Sequence, residues 1–421
     1  MVIKRLAGMR IRMKIVQINT VCGKGSVGRI TVDLYHVLEN AKEEPLIAYG
    51  RDKAPEGMNT YKIGTKFDFY IHVLGNFFTG KNGFFSKKQT LKLIQWLEKE
   101  KPDVIHLHNI HGFYLQVELL FSYLKEHNIP VVWTFHDCYP FTGHCAYFDY
   151  AGCDKWKTEC DVCKYHAEVY PYALFKDNAK WSYYVKKAAF TGHENLTIVT
   201  PSTWLSELVK QSFLKEYPVR IIPNGIDLSV FKDKENEEKR KEQEKKIVLG
   251  VANVWEERKG LKFFEQLPSL LGDDYRIVLV GVDKKTKKRL EKVYSKSQLE
   301  LITRTENTKA LAVLYAKATV FVNPTLEDNF PTTNIEALAC GTPVVTFETG
   351  GSGESVTREC GRVVPKGNIM LLAEAIREMA ELDPTRTAKL CRAQAQNYEK
   401  NERYLEYRTL YHEIVKKESR R

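Results

Sequence analysis

The sequence predicts an α/β fold of two domains, each built around a parallel β-sheet. Short runs rich in β-branched residues alternate with longer helical patterns along the whole chain, which is typical of βαβ units. The alternation occurs twice, before and after a Pro-Asn-Gly turn at residues 223–225. The chain has 421 residues, which is too long for one ordinary core and long enough for two.

The apolar runs give the order of the elements. In the first half, the predicted strands begin at Lys14, Leu46, Asp103, Val131 and Leu196. In the second half, they begin at Lys246, Arg276, Leu299, Thr319, Pro343 and Gly361. Residues 219–231 predict the connection between the halves, and residues 403–415 predict an amphipathic helix. We therefore expect domains over residues 13–218 and 219–400, followed by a C-terminal helix over residues 401–421.

Composition and charge limit the class of protein. Hydrophobic residues make up 43% of the chain, no apolar run is as long as a membrane span, and the basic segment before Met13 lacks the apolar core of a signal peptide. We therefore expect a cytosolic protein. The net charge of +11 suits nucleic acid, anionic lipid or phosphorylated small molecules, although the mixed run Lys232–Lys246 indicates only a solvated loop between the domains. Because no nucleic-acid-binding motif is present, we expect lipid headgroups or diphosphates as partners, and no nucleic acid.

Two acids stand out in the second half. Asp328 lies in the loop after a predicted strand, and Glu336 follows eight residues later on a predicted helix that Gly341 and Pro343 end. Both carboxylates are expected to face a crevice at the carboxyl ends of a parallel sheet. Carboxylates at such a crevice suit sugar and ribose hydroxyls.

Two further segments favour anions. Gly23, Gly25 and Gly28 precede a predicted helix, so the backbone can approach a ligand at the helix N-terminus. Arg258 and Lys259 stand at the start of another predicted helix, where two cations beside helix N–H groups would suit a diphosphate. A dinucleotide-binding protein is the competing interpretation of the glycine loop. Its glycine spacing does not fit that motif, and no clear ribose-binding acid follows the second strand.

Histidines follow two of the predicted strands. His136 and Asp137 come after the run that begins at Val131, so the imidazole is expected at the carboxyl edge of the sheet. His106, His108 and His111 lie at the end of the neighbouring strand. Alternation places His106 and His108 on one face. This pair leaves two alternatives open, a metal site or one packed and one cleft-facing histidine.

The acid pair, the histidine and the glycine loop together resemble the retaining family 4 glycosyltransferases, and the likeness extends over nearly the whole chain. The resemblance implies the GT-B fold, in which two Rossmann-like domains face a deep cleft and the last helix returns to the first domain. It also implies catalytic roles for three residues. Glu336 would hold the nucleotide ribose, and Asp328, which stands where the family usually has Glu, would hold the transferred sugar. His136 would contact the donor sugar. The family's Arg position holds Asn253 here, so Arg258 would supply the charge beside Lys259. The donor-binding residues implied are Gly25, Ser26, Asn253, Arg258, Lys259, Asn329, Phe330, Pro331 and Thr332, and the further cleft residues are His108, His111 and Asp137.

The resemblance implies a retaining transferase that moves a hexose from a nucleotide diphosphate sugar, UDP-linked by expectation, to a glycan or lipid-linked glycan in surface polysaccharide synthesis. The sequence has no Asp-x-Asp pair, so we expect no catalytic metal. The alternatives are a nucleotide-sugar epimerase or phosphorylase on the same fold, or a non-enzymatic zinc- and polyanion-binding protein.

Two segments remain outside this interpretation. Five of the nine cysteines fall between Cys138 and Cys163, in a predicted insertion over residues 138–165. Cys145, Cys153, Cys160 and Cys163 are either ligands of a structural zinc or free thiols in a packed insertion. The segment Phe67–Lys88 interleaves aromatic residues with lysines. It is either a buried helix face or a surface that contacts the inner face of a membrane or a lipid-linked acceptor.

Overall fold

The structure is a computed structural model that describes residues 12–232 and 244–418. Of these residues, 12–201, 205–222 and 404–418 form the N-terminal unit. The C-terminal unit consists of 202–204, 223–232 and 244–403. Residues 1–11 of the basic segment before Met13 and most of the charged loop Lys232–Lys246 lie outside the described residues.

The sheet of the N-terminal unit has seven parallel strands in the order β3-β2-β1-β4-β5-β6-β7. They are β1 (Lys14–Val21), β2 (Glu44–Arg51), β3 (Thr60–Lys62), β4 (Val104–Leu107), β5 (Val131–Thr134), β6 (Leu196–Thr200) and β7 (Val219–Ile221). The five strands predicted in this half are confirmed. β3 and β7 were not predicted, because three residues are too few to show a period of two. Since β7 pairs with β6, this sheet continues past residue 218, where the sequence placed the boundary.

Helices connect these strands, except that β2 and β3 are joined by residues 52–59 without a helix. They are α1 (Gly25–Asn40), α2 (Lys66–Thr79), α3 (Lys87–Glu100), α4 (Val117–Glu126), α5 (Ala179–Phe190) and α6 (Thr203–Lys210). The cysteine-bearing segment fills residues 135–178, between β5 and α5, so it is longer than the predicted insertion over 138–165.

The sheet of the C-terminal unit has six parallel strands in the order β10-β9-β8-β11-β12-β13. They are β8 (Lys246–Val251), β9 (Tyr275–Val280), β10 (Leu299–Ile302), β11 (Val320–Asn323), β12 (Val344–Phe347) and β13 (Gly361–Val364), and all six were predicted. The helices are α7 (Leu261–Leu271), α8 (Lys284–Leu290), α9 (Thr308–Lys317), α10 (Thr332–Ala339), α11 (Ile369–Ala380) and α12 (Pro384–Gln396).

Alternate residues of these strands belong to two separate apolar clusters, one on each face of the sheet. On β11, Val320 and Val322 pack with residues of α7 and α11. Phe321 packs instead with residues of α9 and α10. Both faces are covered, as in other parallel sheets.

The last helix, α13 (Lys400–Glu418), ends in the N-terminal unit. Tyr404, Tyr407 and Tyr411 are buried in the same cluster as residues of β1 and α1. Buried Glu43 accepts hydrogen bonds from the Met13 N–H at 2.7 Å and from Arg408 Nε at 2.8 Å. The helix therefore returns to the first domain, as the sequence predicted. No helix in residues 12–232 or 244–418 combines the length and apolar character needed to cross a membrane.

Candidate active site

The N-terminal unit gathers histidines at the carboxyl ends of β4 and β5, which are neighbouring strands. His108 Nδ1 lies 3.0 Å from His136 Nε2. His106 is fully buried beside Thr134 Oγ1 at 2.8 Å and Tyr411 OH at 2.7 Å. His108 is buried as well as His106, and of the three histidines His136 is the one that is partly exposed.

A chain of hydrogen bonds assigns the tautomer of His136. Gln17 Nε2 donates to the carbonyl oxygen of Thr31 at 3.1 Å, so Gln17 Oε1 faces His108 Nε2, at 3.1 Å, and accepts a hydrogen bond from its N–H. Burial lowers the pKa of His108 well below its ordinary value, so the neutral ring offers Nδ1 as an acceptor. His136 Nε2–H must then be the donor of the 3.0 Å bond. Burial also lowers the pKa of His136 to about 4, which leaves a neutral imidazole with a lone pair on Nδ1.

Asp137 and His111 form a second pair beside these histidines. His111 Nε2 lies 2.6 Å from Asp137 Oδ2, and the Tyr139 N–H donates to Asp137 Oδ1 at 3.0 Å. Burial acts to raise the pKa of Asp137, but His111 and the Tyr139 N–H outweigh burial and hold that pKa below its usual range. Tyr170 OH lies 3.3 Å from His111 Nδ1. Asp137 therefore orients His111, and both of its oxygens are engaged.

The glycine loop differs from its prediction in one detail. The helix begins at Gly25, so only Gly23 of the three glycines precedes it, and Gly28 lies in its first turn. A Cβ at Gly28 would lie 3.0 Å from Val21 Cγ2, so glycine lets the helix pack on β1. Gly25 has φ +64, with nothing within 4 Å of where its Cβ would stand, and Ser26 is exposed. Position N1 of α1 therefore faces open space, and no side chain caps the helix.

The residue directly after the second strand is an acid, and a lysine engages it. Asp52 comes directly after β2, and its Oδ1 pairs with Lys24 Nζ at 2.8 Å. Lys24 immediately precedes α1, so this carboxylate is engaged by the glycine loop itself.

In the C-terminal unit, two loops that are distant in sequence interlock. The Leu326 N–H donates to the carbonyl oxygen of Arg258 at 2.7 Å, and Lys259 Nζ forms an ion pair with Asp328 Oδ2. Arg258 Nε contacts Glu256 Oε2 at 2.9 Å. The two cations predicted to bind a diphosphate are thus held by carboxylates in this structure. Asn253, which follows β8, is exposed.

Glycines allow this close approach. Gly260 has φ +77, and a Cβ there would lie 2.1 Å from the carbonyl oxygen of Pro324. Gly350 has φ +54, and a Cβ there would lie 1.9 Å from the carbonyl oxygen of Asp328. Any larger residue at either position would displace the backbone that carries the acid.

Glu336 lies on α10 and is only 5% exposed. Its Oε2 accepts a hydrogen bond from Tyr315 OH at 3.0 Å. Asn334 fixes the first turn of the same helix, since its Nδ2 donates to the carbonyl oxygen of Ser352 at 2.9 Å and its Oδ1 accepts from Asn323 Nδ2 at 2.8 Å. Asn329 and Phe330 are buried just before the helix, Pro331 occupies the N-cap, and Thr332 begins the helix without a side-chain cap.

Sequence reasoning missed Tyr315 and Gln17. Gln17 had a readable signal, because a polar residue in the middle of an apolar strand must find a buried partner. Tyr315 had no such signal in the sequence, since its contact with Glu336 joins two different helices.

Two family models match the chain, Glycosyltransferase Family 4 over residues 27–230 and Glycosyl transferases group 1 over residues 231–400. Between them they cover most of both units. The chain belongs to the family 4 glycosyltransferases. This confirms the family that the acid pair, the histidine and the glycine loop resembled.

Two curated relatives are similar over part of their length. A protein of Escherichia coli K12 named for colanic acid biosynthesis glycosyl transfer, WcaC, is 24% identical over 285 residues, which are 65% of this chain and 66% of that protein. The N,N′-diacetylbacillosaminyl-diphospho-undecaprenol α-1,3-N-acetylgalactosaminyltransferase of Campylobacter jejuni is 28% identical over 226 residues, 50% of this chain and 58% of that protein. The matched regions span less than two thirds of either relative.

Solved structures share the fold over nearly the full chain. Sucrose-phosphate synthase from Thermosynechococcus elongatus has a TM-score of 0.71 at 19% identity, covering 96% of this chain and 99% of that one. Anabaena HepE in complex with UDP has a TM-score of 0.65 at 14% identity, covering 94% and 99%. The chain therefore has the GT-B fold that its sequence predicted.

Proposed function

We propose that this protein is a retaining glycosyltransferase that moves a hexose from a nucleotide diphosphate sugar, UDP-linked, to a lipid-linked glycan in surface polysaccharide synthesis. The observation that carries the proposal is the buried Glu336, which follows eight residues after the Asp328 that pairs with Lys259, in a chain that belongs to family 4. One relative is named for transfer to a diphospho-undecaprenol-linked sugar, and one structural neighbour was solved with UDP. Neither relative points to an epimerase, a phosphorylase or a binding protein.

On the donor side, Glu336 would hold the ribose hydroxyls and Asp328 the transferred hexose. Lys259 and Arg258 would compensate the charge of the diphosphate, together with the uncapped N-terminus of α10 at Asn329–Thr332. No catalytic metal is needed in this scheme. Lys259 would then contact the diphosphate as well as Asp328, with which it is paired in the structure.

The reaction proposed is substitution with retention. The bond between the anomeric carbon and the β-phosphate oxygen breaks, and its electron pair leaves with the nucleoside diphosphate. The acceptor hydroxyl attacks the oxocarbenium-like carbon on the same face, and its proton passes to the departing phosphate oxygen. His136, neutral and with its Nε2–H directed to His108, would contact the donor sugar with its free Nδ1 side.

A surface for the acceptor is proposed on α2. Phe67, Tyr70, Ile71, Leu74 and Phe78 repeat at helical spacing and are 49–73% exposed. The alternative that the aromatic segment is a buried helix face is therefore wrong for these five residues, which we call the α2 face.

The surroundings of the α2 face suit an anionic membrane. Phe175 is 67% exposed and stacks on Phe78 with ring centroids 5.0 Å apart, which extends the apolar surface. Lys66, Lys87 and Lys176 are exposed in the same stretches of chain. Aromatic rings beside lysines are the combination that favours a negatively charged membrane interface.

The membrane contact can be tested by sedimentation with phosphatidylglycerol vesicles. Phe67→Ser/Leu74→Ser should weaken binding at least tenfold, since each lost side chain contributes on the order of 1–2 kcal/mol. Val293→Ser/Met370→Ser, which removes two similarly exposed apolar residues of the C-terminal unit, is the matched control and should bind like the wild type. Equal binding by both variants, or self-association through the α2 face without vesicle binding, would contradict the proposal.

The donor is tested separately by calorimetry with UDP, GDP and ADP and their hexose conjugates. We expect one nucleotide, UDP, to bind at least tenfold more tightly than the others. Absence of binding by all three would remove the transferase proposal, whatever the outcome of the vesicle experiment.

A further inference from the structure

Four cysteines gather in the segment between β5 and α5. Cys145, Cys153, Cys160 and Cys163 are free of disulfides and partly buried. The backbone joins the three stretches that carry them, since Gly143 contacts Cys160 and Lys155 Nζ donates to the carbonyl oxygen of Val162 at 2.9 Å. Residues from three separate stretches of an irregular segment therefore converge on one place.

Backbone N–H groups are directed at two of these sulfurs. Gly143 N–H donates to Cys160 Sγ at 3.2 Å, and the Tyr165 N–H donates to Cys163 Sγ from two residues further along the chain. A Cβ at Gly143 would lie 2.7 Å from Cys160 Cβ, so glycine is what permits the first contact. Donors aimed at sulfur are the outer contacts that thiolate ligands of a metal usually have.

A buried lysine, Lys186, faces the same cluster, and burial lowers the pKa of its amine to about 7. Lys186 is completely buried and donates to the carbonyl oxygen of Tyr139. Its electrostatic interactions with Cys160 and Cys145 are stronger than that with Asp137. A charged lysine is rarely buried without an anionic partner. A second lysine, Lys155, interacts with Cys153 and Cys163.

From this convergence of four thiols, two sulfur-directed N–H groups and a buried lysine we propose that Cys145, Cys153, Cys160 and Cys163 hold one structural zinc ion. Four thiolates around Zn²⁺ leave two net negative charges, and protonated Lys186 would offset one of them. In residues 12–232 and 244–418 no three potential ligands already stand in a coordinating arrangement. Binding therefore draws the four sulfurs together and releases their protons.

The ion would brace the Asp137–His111 pair of the N-terminal unit. Ala146, the neighbour of Cys145, accepts a hydrogen bond from the Cys138 N–H at 2.9 Å and donates one to the Tyr170 carbonyl at 3.0 Å. Tyr170 in turn contacts His111, the partner of Asp137. Fixing Cys145 thus fixes both ends of the segment that surrounds this pair.

Elemental analysis of the full chain purified without added metal tests the proposal. We expect about one zinc per chain in the wild type and a loss of most of it in Cys160→Ser/Cys163→Ser. Cys138→Ala, a buried cysteine at the start of the same segment, is the matched control and should keep its zinc.

Cobalt titration of the reduced, metal-stripped wild type does not depend on any variant folding. It should give the charge-transfer absorption of tetrahedral cobalt–thiolate coordination at one equivalent. A wild type with no zinc and no such absorption would overturn the site, as would a mass showing two disulfides in protein prepared under reducing conditions.

Discussion

The ribose contact assigned to Glu336 can be tested by removing its charge alone. Glu336→Gln keeps the shape of a side chain that is 5% exposed, and Tyr315 OH can still donate to the remaining carbonyl oxygen. Hydrogen bonds to a charged group contribute about 1.5–3 kcal/mol, and neutral ones about 0.5–1.5 kcal/mol. For two ribose hydroxyls the loss is about 2–3 kcal/mol, so UDP should bind roughly 30- to 150-fold more weakly.

Comparing UDP with 2′-deoxy-UDP by calorimetry separates this contact from general damage. In the wild type the missing hydroxyl should lower affinity, and in Glu336→Gln most of that difference should disappear.

Tyr315→Phe removes the group that orients the carboxylate and should cost about 1 kcal/mol of UDP binding, or roughly fivefold in affinity. Tyr294→Phe, which loses a comparable hydrogen bond to the Glu265 carbonyl in the same unit, is the control. If UDP affinity of Glu336→Gln stays within threefold of wild type, or the deoxy penalty is unchanged, Glu336 does not hold the ribose.

Three further outcomes are expected. His136→Ala should lower kcat by on the order of a hundredfold while UDP affinity changes little, since the residue is assigned to the sugar. Loss of UDP binding with turnover retained would show that this assignment is wrong. Sugar-transfer activity should survive brief EDTA treatment, because Arg258 and Lys259 are assigned to the diphosphate. A loss of activity that Mg²⁺ or Mn²⁺ restores would show that the reaction needs a catalytic cation. Burial lowers the pKa of His72 to about 3 and of His144 to about 4, so the stability that each adds is complete above about pH 6.5 and falls as the pH drops towards those values. At pH 5 the cost is about 2 kcal/mol for each histidine, and a thermal midpoint equal at pH 5 and pH 7 would contradict this.

The elements that sequence predicted best are those with a strong local period. The eleven predicted strands are present because β-branched runs of four or more residues between helical patterns leave few other interpretations. β3 and β7 have three residues each and show no such pattern. The start of α1 was misjudged because Gly28 serves packing against Val21, and sequence does not distinguish that role from a loop glycine.

The parts of the site that sequence could not supply are long-range contacts. Lys259 and Asp328 are 69 residues apart, and His106 and Tyr411 are 305 residues apart. Each residue type suggested a role, but only the fold shows that the lysine is paired with the acid. The α2 face illustrates the same limit, since its apolar period predicts a helix without indicating whether anything covers it.

The central claim is sugar transfer with retention, and the configuration of the product tests it most directly. The full chain is incubated with the UDP-hexose that binds best and with diphospho-undecaprenol-linked glycan in phosphatidylglycerol vesicles, and the new linkage is read by proton NMR. We expect UDP release in equal amount to a product with the anomeric configuration of the donor. An inverted product would contradict the mechanism, and release of free hexose alone, with no glycoside formed on any lipid-linked acceptor tested, would contradict the assignment as a transferase.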